Sequence, residues 1–413
     1  MSEWRPMKMA DVMAEFYDGP HATPPPADDG PVYLGIKNLT DSGALDLSEV
    51  RHIAEEDFDR WTKRVTPQPN DIVFTYEATL HRYALIPDGF RGCLGRRLAL
   101  IRPDRSVVNP RYLHLAMLGP EWRATVSERI ISGSTVDRVP IITFPDFPIA
   151  LPPLPIQERI AEILGAIDDL IENNRRRVEV SEEMARAIYR EWFVHFRYPG
   201  HEDVPLVDSP LGPIPDGWHV KPLFDIAEVG FGFSFKSKRF ADSGPFPVVR
   251  IRDVPKGTTR TFSDEEPGER YRVVDGDVLI GMDGDFHLGQ WSGGIAWLNQ
   301  RVARLRPRSG LSAHHLLLAV ELPIREWNAA ISGTTVAHLG KRHLEQVRVV
   351  IPEDSVLKHA TMFFDDVWQQ VVALTQAAHG LAHMRDLLLP KLVTGQIDVS
   401  HLDLDALTEV ATA

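Results

Sequence analysis

The sequence predicts an α+β chain: two tandem β-rich domains, each followed by a long helix, with the two helices packed on each other as a coiled coil. Three observations predict it. A set of phrases recurs in the same order in both halves, each half opens with short segments of alternating polarity, and each ends in an apolar stripe at three- and four-residue steps.

The repetition is best seen in ISGSTV (131–136) and ISGTTV (331–336). Around it, Trp4, Asp11 and Val12 match Trp218, Asp225 and Ile226, and GIKNLT (35–40) matches RIRDVP (250–255). PNDIVFT (69–75) matches DGDVLIG (275–281), YLHLAML (112–118) matches HLLLAVE (315–321), and FPIALP (147–152) matches VRVVIP (347–352). The separation between partners shrinks in a few steps along the chain, as a duplication with loops of unequal length requires.

Within each half, YLGIKNL, DIVFTY, PVVRIRDV and DVLIGM alternate apolar with polar residues between Gly, Pro and Asp, which predicts strands joined by turns. A short helix follows at about 110–130, with Asn109 as N-cap and Pro110 in its first turn, and another at 312–330, capped by Ser312. Beyond Pro152-Pro153, the apolar positions from Ile156 to about Phe196 fall on one helical stripe, and the same change follows Pro352, from Val356 to Leu388. Helices of this size are rods of about 50 to 60 Å. Two such stripes bury each other as a coiled coil, with polar Asn174 and Gln370 near the seams; the other arrangement open to them is that each covers its own domain separately.

A chain of 413 residues is long enough for two domains, and 43% hydrophobic with 25% charged residues is ordinary globular composition. No run reaches the roughly 18 apolar residues of a membrane span, and the N-terminus lacks the plan of a secretory signal, so a cytoplasmic protein is expected. Cys93 stands alone, which excludes an intramolecular disulfide and a cysteine zinc cluster and predicts a small buried side chain.

The net charge of −13 argues against a nucleic-acid partner, but the charge is segregated. Seven arginines lie between Arg82 and Arg111 against two acids, and seven basic residues lie between Lys236 and Arg260 against two, followed by Arg301, Arg304, Arg306 and Arg308. Residues 1–60 hold thirteen acids against five basic residues, so the acidic excess lies outside these runs.

Reaction centres are absent from the pattern. Asn109-Pro-Arg-Tyr112 resembles the Asn-Pro-Pro-Tyr box with which adenine methyltransferases hold a flipped base, but its third residue is Arg and its repeat partner lacks the box, so helix capping accounts for it. Gly230-Phe-Gly232 does not open onto a helix as a cofactor loop should, and DGDVLIGMDGD (275–285) lacks calcium-loop spacing, leaving its aspartates as turn residues.

Several phrases together carry a resemblance: SPLGPIPDGWHVKPLFDIAEV (209–229), FSFKS (233–237), VVRIRDV (248–254), GDVLIGMDGD (276–285), LNQRVARLRP (298–307), GTTVAHL (333–339), LLLPKLVTGQIDV (387–399) and, in the first half, LPPLPIQERIAEILGAIDDLIENN (151–174). In their order, and over essentially the whole chain, they resemble the specificity subunit of type I restriction-modification systems. The resemblance implies a target-recognition domain at 1–155, a central long helix at 156–198, a second target-recognition domain at 199–352, a C-terminal long helix at 353–392 and an acidic tail at 393–413, with the helices antiparallel. It further implies a subunit that catalyses nothing and reads a bipartite, asymmetric double-stranded DNA target. Two methyltransferase subunits would dock on the helices and motor-nuclease subunits would add restriction. No cofactor is expected in this chain, with S-adenosylmethionine in the methyltransferase and ATP and Mg in the motor-nuclease. Rods of about 50 to 60 Å correspond to about 15 to 18 base pairs.

Basic side chains neutralise phosphates, while Arg pairs with guanine and Asn or Gln with adenine at base edges. The expected DNA-binding residues are Arg82, Arg91, Arg96 and Arg97 in the first domain and Lys236, Lys238, Arg250, Arg252, Gln300 and Arg301 in the second, with the hydroxyls of Ser134, Thr135, Thr334 and Thr335 as phosphate ligands. The first half departs from the family pattern, with PHATPPPADDG (20–30) in the place of FGFSFKSKRF, so residues do not transfer directly between halves. Two other readings compete: an adenine DNA methyltransferase in its own right, resting on the Asn109 box, and a scaffold that binds protein but no DNA, favoured by net acidity.

Overall fold

The computed structural model describes residues 4–133, 136–308, 310–331 and 338–400. The chain divides into two units, Met1–Leu170 together with Gly380–Ala413, and Ile171–His379.

The strands of the first unit are β1 (Arg5–Lys8), β2 (Met13–Asp18), β3 (Ala27–Leu34), β4 (Arg51–His52), β5 (Ile72–Thr75), β6 (Tyr83–Leu85), β7 (Gly92–Leu94), β8 (Leu98–Pro103) and β9 (Pro148–Leu151). Its helices are α1 (Phe58–Trp61), α2 (Pro110–Leu118), α3 (Pro120–Ser127) and the first part of α4 (Leu154–Tyr189). The main sheet runs β2-β8-β5-β6, a smaller sheet runs β4-β3-β7, and β1 pairs with β9.

In the second unit the strands are β10 (Leu206–Val207), β11 (Ile214–Pro215), β12 (His219–Pro222), β13 (Ala227–Phe231), β14 (Phe240–Ala241), β15 (Phe246–Val249), β16 (Phe262–Ser263), β17 (Arg272–Val273), β18 (Val278–Gly281), β19 (Leu288–Gln290), β20 (Ala296–Leu298), β21 (Val302–Pro307) and β22 (Arg348–Ile351). The helices are α5 (Leu223–Ile226), α6 (Ala313–Ile331), α7 (Lys341–Gln346) and most of α8 (Asp354–Val393). Here the main sheet runs β13-β21-β18-β19, and β12 pairs with β22.

The sequence repeat is thus a repeat of register. Ile72 faces Ile101 across β5 and β8 as Val278 faces Leu305 across β18 and β21. Arg5 faces Leu151 as His219 faces Ile351, and the parallel pair β3–β7 returns as β15–β20. All four residues of β5 and of β18 are buried, because each lies inside its sheet with both faces covered. Such a strand reads as an apolar run. The first core stacks Phe74 on Phe144 at 4.8 Å between ring centroids, whereas the second is built mainly of aliphatic side chains.

One polar contact recurs in both units. Arg102 on β8 forks onto Asp71, donating from Nε to Oδ1 at 3.0 Å and from Nη2 to Oδ2 at 2.9 Å. Arg306 on β21 forks onto Asp277 at 2.6 and 2.8 Å by the same atoms. The two aspartate side chains are 3% and 4% exposed, and each also accepts a backbone N–H three residues back, from Gln68 and Val274. Arg304, 3% exposed, donates to Glu228 at 2.9 Å and to the Arg272 carbonyl. Arg102, Arg304 and Arg306 therefore do not add to a basic surface as their place in the charge runs suggested; they neutralise acids of their own domain.

The helices differ from expectation in two details. The short helix expected at about 110–130 is broken into α2 and α3, because Pro120 drives Gly119 into extended backbone (φ −71°, ψ 162°). Its counterpart α6 runs unbroken through Pro323. Gln370 is exposed and lies off the apolar stripe of α8, whereas Asn174 is half-buried on that of α4. In the first unit Ile160 and Leu164 share a core with Leu392, and Arg385 donates to Asp168 at 3.1 Å. In the second, Ala185 shares a core with Val356, Ala360, Phe364 and Val367. Among the described residues no helix is long and apolar enough to cross a membrane.

At the start of α6, His314 Nδ1–H donates to Gln290 Oε1 at 3.0 Å, and fully buried His315 lies against Phe193 (4.3 Å), Phe364 (5.4 Å) and Tyr189 (5.5 Å) with neither ring nitrogen partnered. Burial pushes the His314 imidazole down to about 4, and burial with neighbouring His314 pushes His315 down as well.

Two predictions follow from this core. Removing the arginine leaves a buried carboxylate without its ion partner, so Arg102→Ala or Arg306→Ala destabilises its own domain by about 3–5 kcal/mol, while replacing both members of a pair by apolar residues costs much less; hydrogen exchange resolved by segment distinguishes the domains. A folded-state histidine pKa below the unfolded value of 6.5 means that stability falls as pH drops below 6.5, at about 1.4 kcal/mol per pH unit per group until the folded pKa is reached. His315→Phe should flatten that slope in urea titrations between pH 7 and 5; an unchanged slope contradicts the assignment.

Candidate nucleic-acid interface

In each domain a short strand leads through a tight turn into an inner strand of the main sheet. Leu98 N–H donates to Gly95 O at 3.1 Å and closes the turn Gly95-Arg96-Arg97-Leu98; Val302 N–H donates to Asn299 O at 2.9 Å and closes Asn299-Gln300-Arg301-Val302. At Gly95 a Cβ would sit 2.2 Å from the Leu34 carbonyl oxygen, so the first turn needs glycine to lie this close to β3.

The third residue of each turn is tied down. Arg97 lies 3.5 Å from Glu77 and Arg301 forms an ion pair with Asp283. Their carbonyls accept from Tyr76 N–H at 3.2 Å and Met282 N–H at 2.9 Å. The same acidic residues bridge through the backbone to Arg138 and His338, and His338 Nδ1 lies 2.5 Å from Asp283. Each bridge meets the base of the segment that carries ISGSTV or ISGTTV. Ser134, Thr135, Thr334 and Thr335 lie outside the described residues.

The second residue of each turn is held only by its backbone. Tyr76 Oη donates to the Arg96 carbonyl at 2.8 Å, and burial together with the Asp18 and Glu77 carboxylates raises the phenol above its ordinary value, keeping it a neutral donor. Gln300 N–H donates to Phe233 O at 2.9 Å. The Arg96 and Gln300 side chains are exposed, and among the described residues neither has a side-chain hydrogen bond or ion pair.

The other expected residues divide in the same way. Lys236 and Lys238 border and occupy an exposed turn at Ser237–Arg239, with Lys236 N–H on Glu265 at 2.7 Å. Arg82 donates to Asp41 at 2.8 Å and to the Leu39 carbonyl at 3.1 Å. Arg91 forks onto Glu55 over the Phe58 ring, and the Glu55 hydrogen bond raises its guanidinium pKa. Arg250 sits 5.2 Å above Phe240, and Arg252, 64% exposed, donates to Thr261 Oγ1 at 3.1 Å. Arg96, Lys236, Lys238 and Gln300 thus have exposed side chains with no side-chain hydrogen bond or ion pair among the described residues, while the rest also serve their own domain.

Charge runs missed Arg51. Its guanidinium lies 5.6 Å from the Tyr33 ring centre, on the rim of a recess of about 200 Å³ that it shares with Arg96 and Arg97. An arginine flanked by acidic residues in the opening segment gives no run to detect.

The chemical alternatives lose their residues to structure. Asn109 Oδ1 accepts Tyr112 N–H at 3.0 Å as a helix cap, Arg111 pairs with Asp169 at 2.8 Å, and Tyr112 is buried. In DGDVLIGMDGD, Asp275 accepts Gly294 N–H at 2.7 Å, Asp277 holds Arg306 and Asp283 holds Arg301. Cys93 is buried on β7, where burial pushes its thiol up to about 12. Among the described residues no three His, Cys, Asp or Glu side chains gather to hold a metal ion.

Comparison with known proteins finds one family over both halves of the chain. The profile of the type I restriction modification DNA specificity domain matches twice, at residues 30–181 and 215–377. The MjaIX type I restriction enzyme specificity subunit of Methanocaldococcus jannaschii is 25% identical over 363 residues, covering 85% of this chain and 83% of the relative. The EcoBI specificity subunit of Escherichia coli is 32% identical over 190 residues, 45% of this chain and 40% of the relative. The crystal structure of the type I restriction-modification S subunit from M. genitalium has the same fold, with TM-score 0.56 and 15% identity over 95% of this chain and 96% of that one. The chain therefore belongs to the type I restriction-modification DNA specificity family, and its work is to recognise a DNA sequence while catalysing nothing itself.

Proposed function

We propose that the two domains each read one half of a bipartite, asymmetric DNA target, and that the long helices pair as an antiparallel coiled coil that sets the spacer and receives two methyltransferase subunits. The observation that carries this reading is the repeated turn: one frame, stabilised by the same contacts, presents Arg96 in one domain and Gln300 in the other. Equal frames with unequal exposed side chains are what two different half-sites require.

The helix burial supports the coiled coil. On α4, Ile160, Ile167, Asn174 and Ser181 lie seven apart, as do Leu164, Ile171, Val178 and Ala185, all buried or half-buried. On α8 the same spacing joins Ala360, Val367 and Leu374, and Phe364, Val371 and Ala378. A seven-residue repeat keeps two helices in contact by left-handed supercoiling. Asn174, Ser181 and Arg385, the last on Asp168, supply the polar groups that set register.

In this reading the assembly works in the cytoplasm. The methyltransferase subunits bring S-adenosylmethionine and modify adenine, and motor-nuclease subunits bring ATP and Mg for restriction. Arg82, Arg91, Arg97, Arg250, Arg252 and Arg301 shape the surface while Arg96, Lys236, Lys238 and Gln300 meet DNA. Ser134, Thr135, Thr334 and Thr335 contribute phosphate contacts.

Co-expression with the methyltransferase, followed by mapping of modified adenines across a genome, tests the reading. The expected outcome is one bipartite motif that disappears when this chain is omitted, and exchange of residues 1–152 with those of a relative alters only one half of it. A contiguous motif, or methylation independent of the chain, contradicts the reading.

A further inference from the structure

Resting on the reading above, we infer that the second residue of the repeated turn is a base-reading position in each domain: Arg96 recognises guanine in one half-site and Gln300 recognises adenine in the other. The two residues occupy one structural place. Each follows the first residue of the turn, whose carbonyl closes it (Gly95 O at 3.1 Å, Asn299 O at 2.9 Å), and each precedes an arginine paired with an acidic residue of the neighbouring turn, Glu77 or Asp283.

That neighbouring pair matters. It neutralises the adjacent arginine and ties the turn to the strand beside it, so the backbone of residue 96 or 300 is positioned while its own side chain stays exposed. A long polar side chain on a rigid turn meets the requirement for base-edge contact, because little backbone freedom is lost on binding. Neutral side chains also meet phosphates, but a charged phosphate anchor common to both domains would keep lysine or arginine in both repeats; here the chain has arginine in one and neutral glutamine in the other. Glutamine has no charge for a phosphate, but its amide presents the donor and acceptor pair that matches adenine N7 and N6, as the arginine fork matches guanine O6 and N7.

The test uses the full chain in complex with its methyltransferase, carrying Arg96→Gln, Arg96→Lys or Gln300→Arg, with genome-wide mapping of modified adenines for each. Arg96→Gln should shift one guanine position of one half-site toward adenine or relax it, changing discrimination there by roughly ten- to hundredfold. The other half-site should stay as in the wild type. Gln300→Arg should produce the converse change in the other half-site only. Arg96→Lys separates charge from recognition: it keeps a phosphate contact but loses the fork, so it should relax the same guanine position. An unaltered motif in Arg96→Lys together with an unaltered motif in Gln300→Arg overturns the inference while leaving the two-domain reading intact. A wild-type motif that is not bipartite overturns the reading itself. Should a variant lose methylation, competition binding of the purified complex to the wild-type site and to sites altered at each position decides the matter, since an equal loss on every site also overturns base reading.

Discussion

The forked pair of Arg102 with Asp71, repeated as Arg306 with Asp277, is the contact on which the rest of each domain depends. Both partners lie at one end of two neighbouring strands, and the tight turn lies at the other end of the same pair. The aspartate also holds a backbone N–H ahead of its strand, so a single carboxylate sets where the strand begins and which residue of its neighbour it faces. A slip by one residue would turn every side chain to the opposite face and leave a buried carboxylate without its arginine. Register fixed at this end delivers the turn at the far end in the same place in both repeats.

That arrangement separates two tasks in neighbouring positions. Arg97 and Arg301 serve the frame through Glu77 and Asp283, while Arg96 and Gln300 are left exposed. Under the proposed reading, specificity changes by substitution at one turn position without loss of the core that supports it. The segments around ISGSTV and ISGTTV meet the same acidic residues at their bases through Arg138 and His338.

Much of this organisation was readable in the sequence, for physical reasons that also explain what was not. Colinear repeats and the change from period two to a helical stripe report local backbone geometry, so the two β-rich halves and the long helices followed from pattern. Gln370 was misplaced because a polar residue near a stripe can lie on either side of its edge, and the break at Gly119-Pro120 was overlooked because the repeat partner stays helical. The Arg–Asp forks join residues 31 and 29 positions apart, a separation with no periodic signature. Charge runs therefore counted Arg102, Arg304 and Arg306 as surface cations when their strands carry them inward. Arg51 escaped for the opposite reason, standing alone among acids yet lying beside Arg96 in space.

The central claim is that one frame, built twice, reads two separate stretches of DNA. Hydroxyl-radical footprinting of the assembled methyltransferase complex on a target it modifies tests this most directly. The account predicts two protected stretches divided by an unprotected spacer, with Arg96→Ala weakening protection in one stretch and Gln300→Ala in the other. A single continuous footprint, or one in which both variants weaken the same stretch, would contradict it.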